Sequence, residues 1–274
     1  RRILAIDPGF RTGCKVVAID ESGTLLADTV IYPNEPRNDT VGAMRSLMAL
    51  IDEHELDAIA LGDRTASRET EAFLRSSGIA DFTEVFIVSE NGASVYSASE
   101  LAREEFPDKD VTVRGAVSIG RRLIDPLAEL VKIDPKSIGV GQYQHDVDQS
   151  SLRDALDFTV MSCVNLVGVD LNTASPQLLA YISGIGKAMA AKIVDFRTVN
   201  GAFPSRKALL KVPRLGAKIF EQAAGFLRVP ESSNPLDNTG IHPESYHIVE
   251  RMAADLGLST AALVADNDTI DKID

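Results

Sequence analysis

The sequence has no tryptophan and only two cysteines, Cys14 and Cys163, among its 274 residues. Two distant cysteines offer neither a disulfide framework nor a zinc site, and their scarcity is typical of a protein in a reducing compartment. No apolar run is long enough to span a bilayer, and no signal peptide is recognisable. We therefore expect a cytoplasmic location. The chain also starts without an initiator methionine, inside an apolar stretch, which predicts a piece of a longer protein.

Two further absences concern phosphate chemistry. The sequence contains no Gly-Lys-Ser or Gly-Lys-Thr phosphate-binding loop, which disfavours nucleotide hydrolysis. It also lacks an overall positive charge, since 40 acids and 28 bases give a net charge of −12. Within that total, residues 172–228 carry nine lysines or arginines and two acids, a net charge of +7. A basic block between acidic blocks predicts a local anion-binding surface, with a solvated basic face as the alternative.

The apolar pattern predicts a chain that combines an α/β part with an all-α part. Residues 1–126 show three strands in a meander and then alternating helices and strands, which predicts a mixed sheet with flanking helices. Residues 127–171 are predicted to form a helical connector, and residues 172–229 a pair of helical repeats. Residues 230–274 are predicted to contain a C-terminal helix, to about residue 256, and then an acidic tail.

A repeat at an offset of 30 residues defines the stretch 172–229, and each copy reads as helix, tight turn and helix. In the first copy, Gly184 and Gly186 flank an apolar residue just before a helix. Glycine permits positive φ and close approach of another chain, and the free amides at a helix start bind anions. This spacing is that of the helix-hairpin-helix motif, so residues 172–229 are predicted to form a tandem helix-hairpin-helix domain.

By resemblance to that motif, we expect both turns to hold the phosphate backbone of DNA or RNA without reading its sequence. The residues predicted to bind nucleic acid are Ser183, Gly184, Gly186, Lys187, Lys192, Arg214, Gly216 and Lys218. The second copy departs from the motif, because Arg214 replaces its first glycine and Phe220 replaces a small residue. We expect the second turn to approach a phosphate less closely. The alternative is that the pair packs against neighbouring domains and binds nothing.

Three carboxylates follow predicted strands of the α/β part: Asp7, Asp63 and Glu90. The ends of neighbouring strands in such a sheet can bring these side chains together. Clustered carboxylates hold Mg²⁺, and two such ions can clamp both oxygens of a phosphoryl displacement. The three acids are therefore candidate catalytic residues, with possible Mg²⁺ binding at Asp7 and Glu90. No other cofactor is expected.

This part of the chain resembles the YqgF branch of the RuvC and RNase H-like superfamily. The resemblance is carried by the strand order, by Asp-Pro-Gly after the first strand and by Ser89-Glu90 after the fifth. The family's remaining acid belongs at the start of the last helix, but residues 113–116 read Val-Arg-Gly-Ala, and Arg114 brings a charge that would oppose a metal. The nuclease site is therefore predicted to be degenerate. An active metal-dependent nuclease and an inactive nucleic-acid-binding scaffold are the two hypotheses.

The whole chain resembles the central portion of the Tex family of transcription accessory proteins. The resemblance is strongest in ILAIDPGFRTGCKVVAID, in the segment from YQHDVDQSS to YISGIG, and in LDNTGIHPESY at 236–246. It implies a nucleic-acid-binding factor linked to transcription and to RNA polymerase. Members also have an N-terminal helical region and an S1 RNA-binding domain, neither of which is visible here. A protein-interaction module that docks on the transcription machinery through its acidic blocks is the alternative.

Overall fold

The apolar strands at the start of the chain form a five-stranded mixed sheet. The computed structural model describes residues 1–265, and its first compact unit, Arg1–Gln144, contains this sheet. The strands are β1 (Ile3–Asp7), β2 (Cys14–Ile19), β3 (Leu25–Ile31), β4 (Ala58–Gly62) and β5 (Glu84–Val88). Their order is β3-β2-β1-β4-β5; β1, β2 and β3 pair antiparallel, and β4 and β5 run parallel to β1. The predicted mixed sheet is confirmed.

Helices cover both faces of this sheet. They are α1 (Thr40–His54), α2 (Ser67–Ser76), α3 (Ala93–Ala98), α4 (Glu100–Glu105), α5 (Val111–Ile124), α6 (Pro126–Leu130) and α7 (Pro135–Ile138). Because alternate residues of a strand point to opposite faces, Leu4 and Ile6 pack with α1 and α2, whereas Ile3 and Ala5 pack with α5. Both apolar clusters are buried, so the sheet is fixed from two sides and its strand ends are held in register.

The second unit, from His145 onward, is helical. It contains α8 (Gln149–Val167), α9 (Pro176–Leu179), α10 (Lys187–Asn200), α11 (Ala217–Ala223), α12 (Tyr246–Asp255) and α13 (Thr260–Ala265), with 3-10 helices at Arg206–Lys211 and Pro243–Ser245. Two short strands, β6 (Val169–Asp170) and β7 (Leu227–Arg228), pair in parallel. The two units divide after Gln144, inside the predicted connector 127–171. This single division does not test the four predicted domains, whose boundaries stay a prediction.

The stretch predicted as an acidic tail is helical in part. The helix α13 follows α12 closely, and its Leu263 is buried. An apolar side chain therefore anchors this part of the segment that was predicted to be an acidic tail. Residues 266–274, the rest of the predicted tail, lie outside the described residues. Within residues 1–265, no helix has both the length and the apolarity that crossing a membrane requires.

A buried arginine organises the second unit. Arg206 is 1% exposed, and its guanidinium donates to the carbonyl oxygens of Leu227 (2.7 Å), Ile241 (2.6 Å) and Thr239. It also donates to the hydroxyl of Tyr246 (2.9 Å), which in turn donates to the carboxylate of buried Asp237 (2.8 Å). A buried guanidinium needs such a full set of acceptors. The stretch 236–246, which carried part of the family resemblance, therefore supplies three of the four acceptors that surround this guanidinium.

Candidate functional site: strand-end carboxylates and glycine turns

The ends of β1, β4 and β5 lie at one edge of the first sheet. There Asp7 and Glu90 line a cavity of about 260 Å³, together with Arg64 and one face of α5. Asp63 follows β4 directly, and its side-chain oxygen Oδ1 accepts the backbone N–H of Glu90. The three candidate acids are therefore brought to one place, as the order of the strands predicts.

Glu90 is held tightly at this edge. A methyl group on Gly62 would overlap its carboxylate, so the glycine leaves space for the carboxylate in its present position. Its backbone N–H donates to Oδ1 of Asp63 (3.0 Å), and its Oε1 accepts the N–H of Arg64 (3.4 Å). The buried Arg122 donates to the carbonyl oxygen of Ser89, the preceding residue, at 2.5 Å. One oxygen of Asp63 thus anchors the backbone of Glu90.

Burial raises the pKa of both carboxyl groups that line the cavity. Burial is the main cause that raises the pKa of Glu90 to about 7, and the nearby charge of Asp7 adds to it. Burial also raises the pKa of Asp7, and the ammonium of Lys15 on the paired strand opposes that rise. Carboxyl groups with raised pKa values are common at functional sites and also occur in structural clusters.

The face of α5 towards the carboxylates carries no acid. Thr112, Gly115 and Ile119, at helical spacing, line the cavity. The expectation that Arg114 opposes a metal here is corrected, because its guanidinium donates instead to the carbonyl oxygen of Phe106 (3.1 and 2.9 Å). Among the described residues, no three His, Cys, Asp or Glu side chains are arranged to hold a metal ion. The residues present therefore do not fit the two-metal centre of a nuclease.

The two turns of the predicted helix-hairpin-helix pair have the same backbone. Gly186 and Gly216 immediately precede α10 and α11, with φ and ψ of −85° and 171° in one and −84° and 171° in the other. Two residues earlier, Gly184 has φ +82° and Arg214 has φ +69°. The apolar residue between them is buried in both copies, as Ile185 and as its counterpart at 215. Arginine thus adopts the left-handed conformation that glycine has in the first copy.

Both turns leave the first amides of the following helix uncapped. The first-turn N–H groups of an α-helix have no partner within it and are usually met by a side chain at the N-cap. Asp39, Asp110 and Asp148 do this for α1, α5 and α8. Within the described residues, no side chain caps α10 or α11, and a carbon added at Gly186 or Gly216 would meet no atom within 4 Å. The space beside each of these glycines is therefore open.

The two glycines of the first turn have different tasks. A carbon added at Gly184 would lie 2.8 Å from Cβ of Gln222 on α11, so this glycine permits both a positive φ and the close packing of the second hairpin. Gly186 instead keeps the surface open. The backbone N–H of half-buried Ser183 already donates to Oδ1 of Asn165 (3.2 Å). Of the predicted residues in this turn, Gly186 and the exposed Lys187 therefore present their polar groups most freely.

The cations of residues 172–228 fall into two groups. Three arginines place their guanidinium groups on backbone carbonyls: Arg197, Arg206 and Arg228. The other six make no side-chain hydrogen bond or ion pair with the described residues, and all are exposed except half-buried Lys192: Lys187, Lys192, Lys207, Lys211, Arg214 and Lys218. The charge of +7 counted in the sequence thus overstates the charge offered to a ligand.

Comparison with known proteins assigns these parts to known domains. The model of the Tex protein YqgF-like domain matches residues 1–124, that of the helix-hairpin-helix motif matches residues 164–228, and that of a further helix-hairpin-helix domain matches residues 234–274. The class of protein is therefore one that joins a YqgF-like domain to helix-hairpin-helix domains. Sequence reasoning did not recognise a helix-hairpin-helix domain after residue 230.

Curated relatives share most of this chain. "Protein tex" of Bordetella pertussis is 53% identical over 274 residues, which are 98% of this chain and 34% of that protein. "Protein YhgF" of Escherichia coli is 54% identical over 257 residues, 93% of this chain and 33% of that protein. Human "S1 RNA-binding domain-containing protein 1" is 36% identical over 310 residues, 94% of this chain and 31% of that protein.

The chain belongs to the Tex family, and it spans about a third of the length of the curated relatives that it matches. Among solved structures, RuvC of T. thermophilus in complex with a Holliday junction substrate aligns with a TM-score of 0.32 and 16% identity. That alignment covers 44% of this chain and 90% of the RuvC chain.

Proposed function

We propose that this part of the Tex family is a sequence-nonspecific nucleic-acid-binding scaffold whose two glycine turns hold backbone phosphates. The observation that carries the proposal is the matched pair of open turns at Gly186 and Gly216, each followed by a helix without a side-chain cap. Free amides at a helix start favour an anion, and the lysines at 187 and 218 add charge beside them. Because phosphates are the same in every sequence, such contacts fix position and carry no base specificity.

The strand-end carboxylates favour the scaffold over the nuclease. The cavity beside α5 presents two carboxyl groups and an arginine, and the α5 face supplies no third acid, whereas phosphoryl transfer by two metals uses a cluster of carboxylate ligands. The direct test incubates branched DNA and RNA with the protein and Mg²⁺ or Mn²⁺. Cleavage that Asp7→Asn abolishes would establish the nuclease and would displace the scaffold proposal for this unit.

Binding measured against salt concentration tests the phosphate contacts. The logarithm of the association constant should fall linearly with the logarithm of salt concentration, because bound cations displace counterions from the nucleic acid. Lys187→Glu and Lys218→Glu should weaken binding to all sequences equally and should each reduce the slope by about 1. Arg68→Glu on α2 makes the same charge change on the exposed surface of the first unit and should have little effect. Affinity that is independent of salt would contradict the proposal.

The partner in transcription follows from the family and not from a contact in this chain. A relative from Neisseria gonorrhoeae is named "Transcriptional accessory protein Tex", which supports the proposal that the scaffold works with RNA polymerase or its transcription complex. Capture of purified RNA polymerase by the full-length protein, after nuclease treatment of both, would separate direct docking from tethering through nucleic acid. Loss of capture after that treatment would leave nucleic acid as the link.

A further inference from the structure

A cavity of about 620 Å³ lies in the first unit, between α2 and two loops. One wall is a single face of α2, since Glu69, Phe73 and Ser76 recur there at helical spacing. Another wall comes from the loop 33–38, which joins β3 to α1, and Phe10 from the loop after β1 also lines the cavity. Its volume lies in the range that is typical of ligand-binding pockets.

The walls of this cavity are held in place by buried hydrogen bonds. Asn34 is 8% exposed and Thr70 of α2 is fully buried, and Nδ2 of Asn34 donates to Oγ1 of Thr70 (2.9 Å). The loop itself is closed by a bond from the N–H of Asn38 to the carbonyl oxygen of Asn34 (3.0 Å). The loop is thus tied to α2, and a ligand does not have to reorganise it.

The buried side chain of Asn34 also leaves an acceptor free. Its oxygen Oδ1 accepts no hydrogen bond from the described residues, although buried amide oxygens normally have a donor. Nδ2 is directed at Thr70 and Cys14 in the interior, whereas Oδ1 is not fully enclosed. Because Asn34 lines the cavity, Oδ1 is the atom that it offers to a ligand, and that ligand must bring a donor.

The charge at this cavity is negative and unpaired. Glu35 and Glu69 are exposed, and neither carboxylate makes an ion pair or a side-chain hydrogen bond with the described residues. Among the described residues that line the cavity, none is a lysine, an arginine or a histidine. The nearby Arg37 does not pair with them, because its guanidinium lies over the ring of Tyr32, 3.8 Å from the ring centroid. The cavity therefore favours a cation.

Its aromatic lining decides which cation fits. Phe10 is 37% exposed and Phe73 lies in the α2 wall, and a ring attracts a cation to its π face. A metal ion would need several oxygen ligands around one small centre, and no three His, Cys, Asp or Glu side chains of the described residues are arranged to hold one. A guanidinium is planar and weakly hydrated, so it can stack on a ring while its N–H groups reach carboxylates.

We propose that this cavity accepts an arginine side chain of a basic partner protein. The guanidinium stacks on Phe10 and donates hydrogen bonds to the carboxylates of Glu35 and Glu69. Oδ1 of Asn34 accepts a further N–H from the same arginine. The volume of the cavity leaves room for part of the chain that carries the arginine. Since its negative charge repels phosphates, this surface binds protein and adds a second kind of partner to the nucleic acid of the proposed function.

The test measures the binding of a fluorescein-labelled peptide of alternating glycine and arginine to the full-length protein by fluorescence anisotropy. Glu35→Gln combined with Glu69→Gln should weaken binding by about tenfold or more, because two charge-assisted hydrogen bonds are lost. Glu53→Gln, at an exposed position of α1, makes the same change outside the cavity and should have little effect. The double variant should bind a DNA duplex as the parent chain does.

Two comparisons separate this site from general attraction between a basic peptide and an acidic protein. A peptide with lysine in place of arginine has the same charge and should bind more weakly, because an ammonium group cannot stack flat on a ring. Phe10→Leu keeps an apolar side chain and should weaken the arginine peptide by about twofold to fivefold. Phe10→Trp, which offers the best π face, should tighten it. Circular dichroism establishes that each variant is folded.

Equal affinity for the arginine and lysine peptides would overturn the proposal, as would a loss in Glu53→Gln as large as that in the double variant. Free arginine amide that competes as well as the peptide would identify a small molecule as the ligand and would also overturn it. Any of these results would leave the phosphate contacts of the second unit untouched, because Lys187→Glu with a DNA duplex tests those separately.

Discussion

Two carboxylates at the strand ends of the first unit, those of Asp7 and Glu90, are half-buried in a cavity, whereas the glycine turns of the second unit open onto solvent. Glu90 is fixed by Gly62, Asp63 and Arg64, and its pKa is raised because its charge is poorly solvated. At Gly186 the equivalent polar groups, the first amides of α10, have no side chain above them. A polar group can act on a ligand only where the protein has not already used it.

The same contrast separates adjacent cations. Arg206 and Lys207 are neighbours in sequence, but Arg206 is buried among carbonyl oxygens and Lys207 is exposed without a partner among the described residues. Arginine suits the interior task because its planar group donates up to five hydrogen bonds. One of these two positive charges therefore stabilises the second unit, and the other is free for an anion.

The largest effect expected from this contrast is on stability. Arg206→Met would leave three buried carbonyl oxygens and the hydroxyl of Tyr246 without their donor, so the free energy of unfolding should fall by about 3 to 5 kcal/mol. Lys207→Met is the matched control and should change it by less than about 0.5 kcal/mol. Denaturant unfolding followed by circular dichroism measures both. Equal effects of the two changes would show that the buried network contributes little.

The next prediction divides the tasks of the two glycines in the first turn. Gly184→Ala should lower the free energy of unfolding by about 2 kcal/mol, because a Cβ atom is strained at φ +82° and would lie 2.8 Å from Cβ of Gln222. Gly186→Ala, at φ −85° and in open space, should cost less than about 1 kcal/mol. The methyl group would, however, stand beside the open amides.

Thermal unfolding and nucleic-acid binding of the same two variants complete that comparison. Gly186→Ala should weaken nucleic-acid binding while the free energy of unfolding stays nearly unchanged. The main effect of Gly184→Ala should be a lower free energy of unfolding. If Gly186→Ala bound nucleic acid as well as the parent chain, the amides of α10 would not be a phosphate site.

Much of this contrast was present in the sequence. The apolar pattern predicts all five strands of the first sheet, and the 30-residue repeat predicts both turns. Both are visible in the sequence because burial favours apolar residues and a positive φ favours glycine. The small and apolar residues between 93 and 106 predict a single helix, but the structure divides it at Ser99, whose hydroxyl caps α4. A serine inside an amphipathic stretch does not by itself reveal that it acts as a cap.

The use of each charge could not be predicted in the same way. In the sequence, Arg197 and Arg206 resemble surface cations of a basic segment. Their acceptors are backbone carbonyl oxygens, which every residue has, so the sequence does not show where these acceptors lie. The left-handed turn at Arg214 was equally hidden, since arginine rarely adopts it. The cavity beside α2 depends on Phe10 and on the loop 33–38, which are distant from that helix in sequence.

The third prediction concerns the inward carboxylate. Glu90 has a folded-state pKa of about 7 against an ordinary value of 4.5, so the folded state binds more protons between these pH values. Stability should therefore fall as pH rises from about 4.5 to about 7 and remain lower above that. Glu90→Gln should remove this loss and stabilise the protein by about 1 kcal/mol at pH 8, after allowance for residual solvent screening.

Unfolding measured at pH 5 and pH 8 checks the sign. The advantage of Glu90→Gln should shrink at pH 5, where the folded glutamic acid is already neutral. Glu84→Gln, at an exposed position on the strand β5 that precedes Glu90, should show no such pH dependence. An advantage of Glu90→Gln that is equal at both pH values would contradict an inward, destabilised carboxylate.

The smallest effect should come from making the second turn like the first. Arg214 stands at φ +69°, a conformation that costs a non-glycine residue about 1 to 2 kcal/mol. Glycine relieves this strain but adds about 0.5 to 1 kcal/mol of chain entropy to the unfolded state, so Arg214→Gly should raise the free energy of unfolding by less than about 1 kcal/mol. Binding should nevertheless weaken, because a free cation beside the open amides of α11 is lost.

Arg214→Ala separates the two contributions, since it removes the charge and keeps the strain. It should weaken binding as much as Arg214→Gly does, without the gain in stability, when both are measured by salt-dependent binding and thermal unfolding. Tighter binding by Arg214→Gly alone would have the opposite meaning. It would show that the arginine side chain obstructs the phosphate, and that the second turn approaches the backbone less closely than the first in spite of its matching conformation.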